Sequence, residues 1–281
     1  MFKVPRLVRR RFHYYVSSWL PRNFPPSARP LTVMIPLAAK DLDNAARAVA
    51  SLRRHLLHPV REIVVAGEDD DTIRAFCASA GVRYINENEV LPAEVLDLVD
   101  YFQSKRIGGW VRQQMLKFMA FDYLEGDDIL VFDADTFLVH DLSFFAGDRQ
   151  LLFLADEYWN MHHESTIALL GPIPRHPRSF IAHFMLFQRD LMADMARAVQ
   201  ARCGCDMMDA IIAWLKSEHP TPPPPPLAEY ELYGNYLYNF RKDRFVATYW
   251  YNKRIDPADM PPLEELQRKY KRFNSLSAHI R

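Results

Sequence analysis

An apolar run, Ile129-Leu130-Val131-Phe132, leads straight into Asp133-Ala134-Asp135. The turn-forming Gly126-Asp127-Asp128 precedes it, and a second apolar segment, Thr136 to Val139, follows. A short apolar run bounded in this way predicts a strand buried on both faces, as in a parallel sheet. Its end is occupied by two carboxylates, and the ends of parallel strands are where open α/β sheets bind ligands. Hard oxygen donors one residue apart suit a divalent cation that also holds phosphate oxygens. The bland alternative is a solvated Asp-x-Asp turn; the apolar strand ahead of it favours a site.

The residues upstream place this strand in a sheet. Thr32-Val-Met-Ile-Pro is rich in β-branched residues and predicts a strand that ends at Pro36, where ladder pairing would stop. Asp41 or Asp43 can cap a helix running to Leu57, with apolar positions at Leu42, Ala45, Ala46, Val49, Leu52 and Leu56. Glu62 to Ala66 predicts a second strand, Asp71 to Ala80 a helix closed by Gly81, and Val82 to Ile85 a third strand. This alternation is that of a parallel sheet with crossover helices. The loop Leu37 to Asp43 lies at a strand end, where it can meet a nucleotide, yet neither GxGxxG nor a P-loop occurs.

The amino-terminal stretch is different in kind. Lys3, Arg6, Arg9, Arg10, Arg11 and Arg22 are interleaved with aromatic and aliphatic residues, and no acidic residue precedes Asp41. It has no continuous apolar h-region and no small-residue cleavage site, so it is not read as a signal peptide. Two readings stand level: a peripheral helix on anionic lipid through residues 1–22, or a basic tail packed on the domain. Asn23 to Pro30 is a proline-rich linker, which makes 1–30 an extension and 31–281 the domain. Over the whole chain the formal net charge is +0, which argues against nucleic acid as a partner. Cys77, Cys203 and Cys205 form no disulfide framework and no zinc motif, so they are read as reduced thiols of a cytoplasmic protein. No apolar run reaches the roughly 20 residues of a membrane-spanning helix.

Other segments carry candidate chemistry. Gly108-Gly109 predicts a loop, and Trp110 to Tyr123 then follows helical spacing, with Gln114 and Lys117 on one face. A lysine near a cation site can neutralise phosphate charge, although a solvated face is the usual fate of Gln and Lys. Leu151 to Ala155 predicts a strand leading to Asp156-Glu157-Tyr158-Trp159-Asn160, a mixture suited to sugar contacts or to a core aromatic pair beside a turn. Ala182 to Phe187 predicts a strand carrying His183, and a lone strand histidine is more often packed than a ligand. Leu191 to Val199 and Met207 to Leu215 read as helices. The proline tract His219 to Pro226 is a rigid connector. Beyond it Glu229 and Glu231 open a helix, where the dipole favours carboxylates; either, partly buried, can act as a general base. Phe273 to Arg281 alternates as a final strand and ends on His279 and Arg281.

Taken together, GGWVRQQMLKF, VFDADTFLV, AHFMLF, EYELYGNYL and SLSAHIR resemble a bacterial glycosyltransferase-like family known as a domain of unknown function, and ILVFDADTFLV resembles the DxD strand of GT-A glycosyltransferases. The resemblance implies a GT-A (Rossmann-like) α/β fold over residues 31–281, with a mixed, mostly parallel sheet flanked by helices. It implies Mn²⁺ or Mg²⁺ bound by Asp133, Asp135 and His279, and a UDP- or GDP-linked sugar as donor. Lys117, Gln114, Asp133, His183 and Arg281 would then face the donor, and Glu231 or Glu229 would serve as base if the anomeric centre inverts. A glycan or lipid-linked acceptor, such as a cell-surface polysaccharide, fits the basic amino terminus. Two rivals are a haloacid-dehalogenase-type phosphatase, disfavoured by Phe137 and by the α/β units ahead of Asp133, and a non-catalytic nucleotide-sugar-binding module.

Overall fold

The computed structural model describes residues 8, 12, 25–103, 107–157, 159–217, 227–256, 259–270 and 273–278. The proline tract 219–226, His279, Arg281 and nearly all of the segment 1–22 lie outside the described residues.

The central sheet contains β1 (Leu31–Leu37), β2 (Val60–Gly67), β3 (Arg83–Asn86), β4 (Asp128–Phe132) and β8 (Phe184–Gln188), in the order β3-β2-β1-β4-β8. β1, β2, β3 and β4 run parallel, and β8 pairs antiparallel with β4. The sheet is therefore mixed and mostly parallel, as the alternation predicts. Helices α1 (Leu42–His55) and α2 (Asp71–Ala80) make the crossovers. The α2 boundaries follow from local chemistry: Asp70 accepts from the Thr72 and Ile73 amides, and Gly81 closes the helix in the left-handed region at φ 60°.

Strand alternation sorts the core into two layers. Val33 and Ile35 of β1 pack with Leu130 and Phe132 of β4 on the face covered by α1 and α2. Met34, Ile129 and Val131 point the other way. There they meet α4 (Ala93–Gln103), α5 (Gly108–Phe118), α8 (Arg189–Cys203), α9 (Met207–Lys216) and α10 (Glu229–Phe240). The short α3 (Glu87–Val90), α6 (Ala120–Tyr123) and α7 (Asn160–Leu170) complete this order along the chain. Ile129, Leu130, Val131 and Phe132 are each 0% exposed, so every side chain of the run contributes about 1.5–3 kcal/mol by burial.

Two smaller sheets lie beyond the central one. The first has the order β10-β11-β5, from Asn252–Ile255, Ser275–Ala278 and Thr136–Leu138. The second has the order β6-β7-β9, from Phe145–Ala146, Arg149–Leu154 and Phe245–Tyr249. Helix α11 (Leu263–Lys269) follows β10, and its Leu266 joins Phe137 and Leu276 in a third apolar cluster.

Three local expectations are corrected. β1 continues through Pro36 to Leu37: beyond Met34 it pairs only with β2, and a proline is tolerated where pairing is one-sided. Gly108 and Gly109 open α5 instead of forming a loop, and Gly108 lies so close to α4 that a Cβ there would stand 2.8 Å from the Val99 carbonyl oxygen. The helix predicted to Tyr123 breaks at Met119, whose φ −90° and ψ 7° separate α5 from α6.

Candidate active site

The strand order reverses direction between β1 and β4: β2 and β3 extend the sheet on one side of β1, β4 and β8 on the other. At such a switch point the loops leaving neighbouring strands diverge, and a crevice opens beyond the carboxyl ends. β1 delivers the loop beginning at Ala38 to this edge, and β4 delivers Asp133.

Antiparallel pairing of β8 with β4 brings His183 to the same place. Phe132 pairs with Phe184, so the preceding residue of β8 faces the one that follows β4. The Asp133 amide donates to the His183 carbonyl at 2.9 Å, and His183 Nδ1 lies 3.2 Å from Asp133 Oδ2. His183 stands just before the strand, not within it as its sequence suggests, and its φ of 57° is the one left-handed non-glycine conformation among the described residues. Such a conformation is costly for a histidine and persists where the surroundings over-determine it. Here the surroundings are the Asp133 amide, the Asp133 carboxylate and the Trp250 ring, 5.2 Å away between centroids. Ligand atoms of Asp133, Asp135 and His183 all lie within 4.8 Å of one another.

Lys117 reaches this cluster from α5. It is 3% exposed and Gln114 is 4% exposed, so neither lies on a solvated face. Its ammonium donates to Asp133 Oδ1 at 2.8 Å and pairs with Glu229 Oε1 at 2.8 Å. Tyr230, which has no distinguishing signal in the sequence, donates its hydroxyl to Asp133 Oδ1 at 3.3 Å and places its ring under the ammonium. Burial alone would push the Asp133 carboxyl up, but Lys117 and His183 hold it well below the usual carboxylate range. Burial opposes the charge on Lys117, yet Asp133 and Glu229 raise its pKa well above the ordinary value. Burial raises the Glu229 carboxyl, with Lys117 pulling against it. For His183, burial disfavours the charge, but the Asp133 hydrogen bond and the Asp133 and Asp135 charges raise its pKa overall.

The remaining sequence candidates separate into distinct settings. Gln114 accepts from the Glu229 amide at 2.9 Å and so anchors the start of α10. Glu231, like Glu229, is 2% exposed. Its carboxylate accepts from the Phe180 amide at 3.1 Å and from Asn235 Nδ2 at 3.0 Å, partners different from those of Glu229. Gly234 makes this possible: a Cβ there would stand 2.7 Å from Phe180 Cδ1, so only glycine lets that ring lie on α10. His279 and Arg281 lie outside the described residues, but the chain leading to them is placed. β11 pairs antiparallel with β5, and the Ala278 amide donates to the Asp135 carbonyl at 2.8 Å.

The model of a family of unknown function, DUF6492, matches residues 29–267. The chain belongs to that family. The match takes in Lys117, Asp133, Asp135, His183 and Glu229 and stops short of β11. The resemblance to a domain of unknown function is thus met at family level. No curated protein matches the sequence. Among solved structures, the fold is similar to apo mouse xyloside xylosyltransferase 1, at 12% identity over 89% of this chain and 98% of that one, with a TM-score of 0.49. It is also similar to the galactosyltransferase LgtC in complex with donor and acceptor sugar analogues, at 12% identity over 88% and 86% of the two chains, with a TM-score of 0.43. These are likenesses of fold alone.

Proposed function

We propose that this DUF6492 chain is a glycosyltransferase that takes its sugar from a UDP- or GDP-linked donor, with Mn²⁺ or Mg²⁺ held at Asp133 and Asp135. The observation that carries this reading is the gathering of Asp133, Asp135 and His183 ligand atoms within 4.8 Å at the switch point of the sheet. The donor set fits the ion: carboxylate oxygens suit Mg²⁺ and Mn²⁺, and an imidazole favours the softer of the two. A cation bound there would neutralise the charge that develops on the departing nucleoside diphosphate.

The chain's own residues supply the rest. Lys117 keeps Asp133 ionised and occupies Oδ1, leaving Oδ2 on the His183 side. Glu229 and Gln114 fix Lys117 and α10 in that position. The Ala278–Asp135 hydrogen bond supports the assignment of the next residue, His279, as a further ligand, with Arg281 toward the diphosphate. If the anomeric centre inverts, Glu229 is the favoured base of the two glutamates, because it shares Lys117 with Asp133, whereas Glu231 is bound to Phe180 and Asn235. The basic segment 1–22 is assigned to peripheral contact with anionic lipid on the cytoplasmic face, where a lipid-linked glycan would be the acceptor. No helix among the described residues is long and apolar enough to cross a membrane.

A thermal-shift screen of nucleotide sugars with and without Mn²⁺ tests the reading, since a ligand at a hundred times its Kd stabilises by about 2.7 kcal/mol. One nucleotide class should raise Tm only when Mn²⁺ is present. Asp135→Ala should abolish that metal-dependent shift and leave the metal-free melt unchanged; a variant that keeps the shift would reject the site.

A further inference from the structure

The small sheet beside the site contains a row of polar side chains that ends on Asp135. β11 reads Ser275-Leu276-Ser277, and the strand alternation sends Leu276 into the apolar cluster with Phe137 and Leu266. The two serines face the opposite way and are fully buried, as is Thr136 on β5. Trp250 Nε1 donates to Ser275 Oγ at 3.0 Å. Ser275 Oγ donates to Asn252 Oδ1 at 3.0 Å. Asn252 Nδ2 donates to Ser277 Oγ at 2.7 Å. Ser277 Oγ lies 3.0 Å from Thr136 Oγ1, and Thr136 donates to Asp135 Oδ1 at 3.3 Å.

The hydrogens of this row all point one way. An indole N–H can only donate, so Ser275 must accept there and turn its own hydrogen to Asn252. The amide orientation of Asn252 follows from these neighbours. Thr136 has one hydroxyl hydrogen and directs it at Asp135, so Ser277 donates to Thr136. From Trp250 the row passes to β11, across to β10, back to β11 and on to β5, and it ends on the carboxylate. Its first member also serves the other side of the site, because the Trp250 ring packs on the strained His183. Stability does not call for such a row: replacing both partners of a buried hydrogen bond by apolar groups of the same shape is nearly neutral. Orientation does call for it, since a carboxylate held at one oxygen keeps the other turned outward, and linked hydrogen bonds stiffen one another.

We propose that Trp250, Ser275, Asn252, Ser277 and Thr136 are positioning residues that set the geometry of the cation site, aiming Asp135 through the row and His183 through the indole face. This rests on the cation reading above. The test is calorimetric titration of Mn²⁺ into the full chain, with no sugar donor and no turnover. Thr136→Val and Trp250→Phe should each weaken Mn²⁺ binding about 10–100-fold, the usual cost of removing a group that orients a ligand. Thr136→Ser, which keeps the hydroxyl, should bind within about threefold of wild type. Ser51→Ala provides the contrast: Ser51 is fully buried beside β5 and accepts from the Leu138 amide at 3.0 Å, but it is no part of the row. That variant should melt at lower temperature and bind Mn²⁺ as wild type does. Where Thr136→Val does not fold, Ser277→Ala breaks the same row. The proposal is overturned if the folded variants bind Mn²⁺ as tightly as wild type, or if Thr136→Ser is as impaired as Thr136→Val. Wild-type protein that binds no Mn²⁺ would overturn the cation reading itself and the proposal with it.

Discussion

Lys117→Met isolates the electrostatics on which the candidate site is built. Lys117 is 3% exposed, and its ammonium sits 2.8 Å from both Asp133 Oδ1 and Glu229 Oε1. Methionine keeps most of the volume and removes the charge, so the loss is electrostatic rather than a cavity. Breaking a buried ion pair from one side costs about 3–5 kcal/mol, because the partner charge is left uncompensated. Two carboxylates lose Lys117 here: Asp133 keeps His183 and Tyr230, and Glu229 can escape. Glu229, 2% exposed and already raised by burial, takes up a proton once Lys117 is gone. A carboxyl whose folded pKa lies above its unfolded value stabilises fully below the unfolded pKa, and that contribution is lost as pH rises. The deficit should therefore be about 3–5 kcal/mol near pH 8 and shrink toward pH 5. Urea unfolding followed by far-UV circular dichroism at the two pH values measures it. Adding Glu229→Gln to Lys117→Met should restore about 1–3 kcal/mol near pH 8, the penalty of one unsatisfied buried polar group. A loss below about 1 kcal/mol, or a deficit equal at both pH values, would refute the claim that Lys117 neutralises these carboxylates.

Two further outcomes follow from side chains away from the site. His58 is 8% exposed; its Nδ1 bonds the Arg29 carbonyl at 3.1 Å while Nε2 accepts from the Phe144 amide at 2.9 Å. Burial lowers its pKa, so its contribution to stability is fully present above the unfolded value of about 6.5 and is lost as pH falls through the folded value. His58→Gln should flatten that acid limb in urea titrations, and a limb of unchanged slope would count against it. Gly234→Ala should destabilise by about 1–3 kcal/mol through collision with Phe180, outweighing roughly 1 kcal/mol of helix propensity. A melting temperature equal to or above that of wild type would show that the ring moves aside freely.

Whatever depends on near neighbours was legible in the chain itself. The run Ile129 to Phe132, the Gly81 terminus of α2, and the successive strands before Asp133 all follow from side-chain periodicity and backbone chemistry within a few residues. The carboxylates of Asp133 and Asp135 could be placed at a strand end for the same reason. Whatever depends on sheet order could not be read there. His183 meets Asp133 because β8 turns antiparallel in one particular register, and a shift of one residue would send it to the other face. Lys117 and Gln114 carry the composition of a solvated helix face and are buried because α5 packs against β1 and against the start of α10. The serines of β11 look like ordinary strand polarity until β10 and β5 close on either side and turn them into a path from Trp250 to Asp135. Local propensity selects the elements, but contacts between residues far apart in sequence are selected by packing the whole chain at once, and the chemistry of this site lies in those contacts.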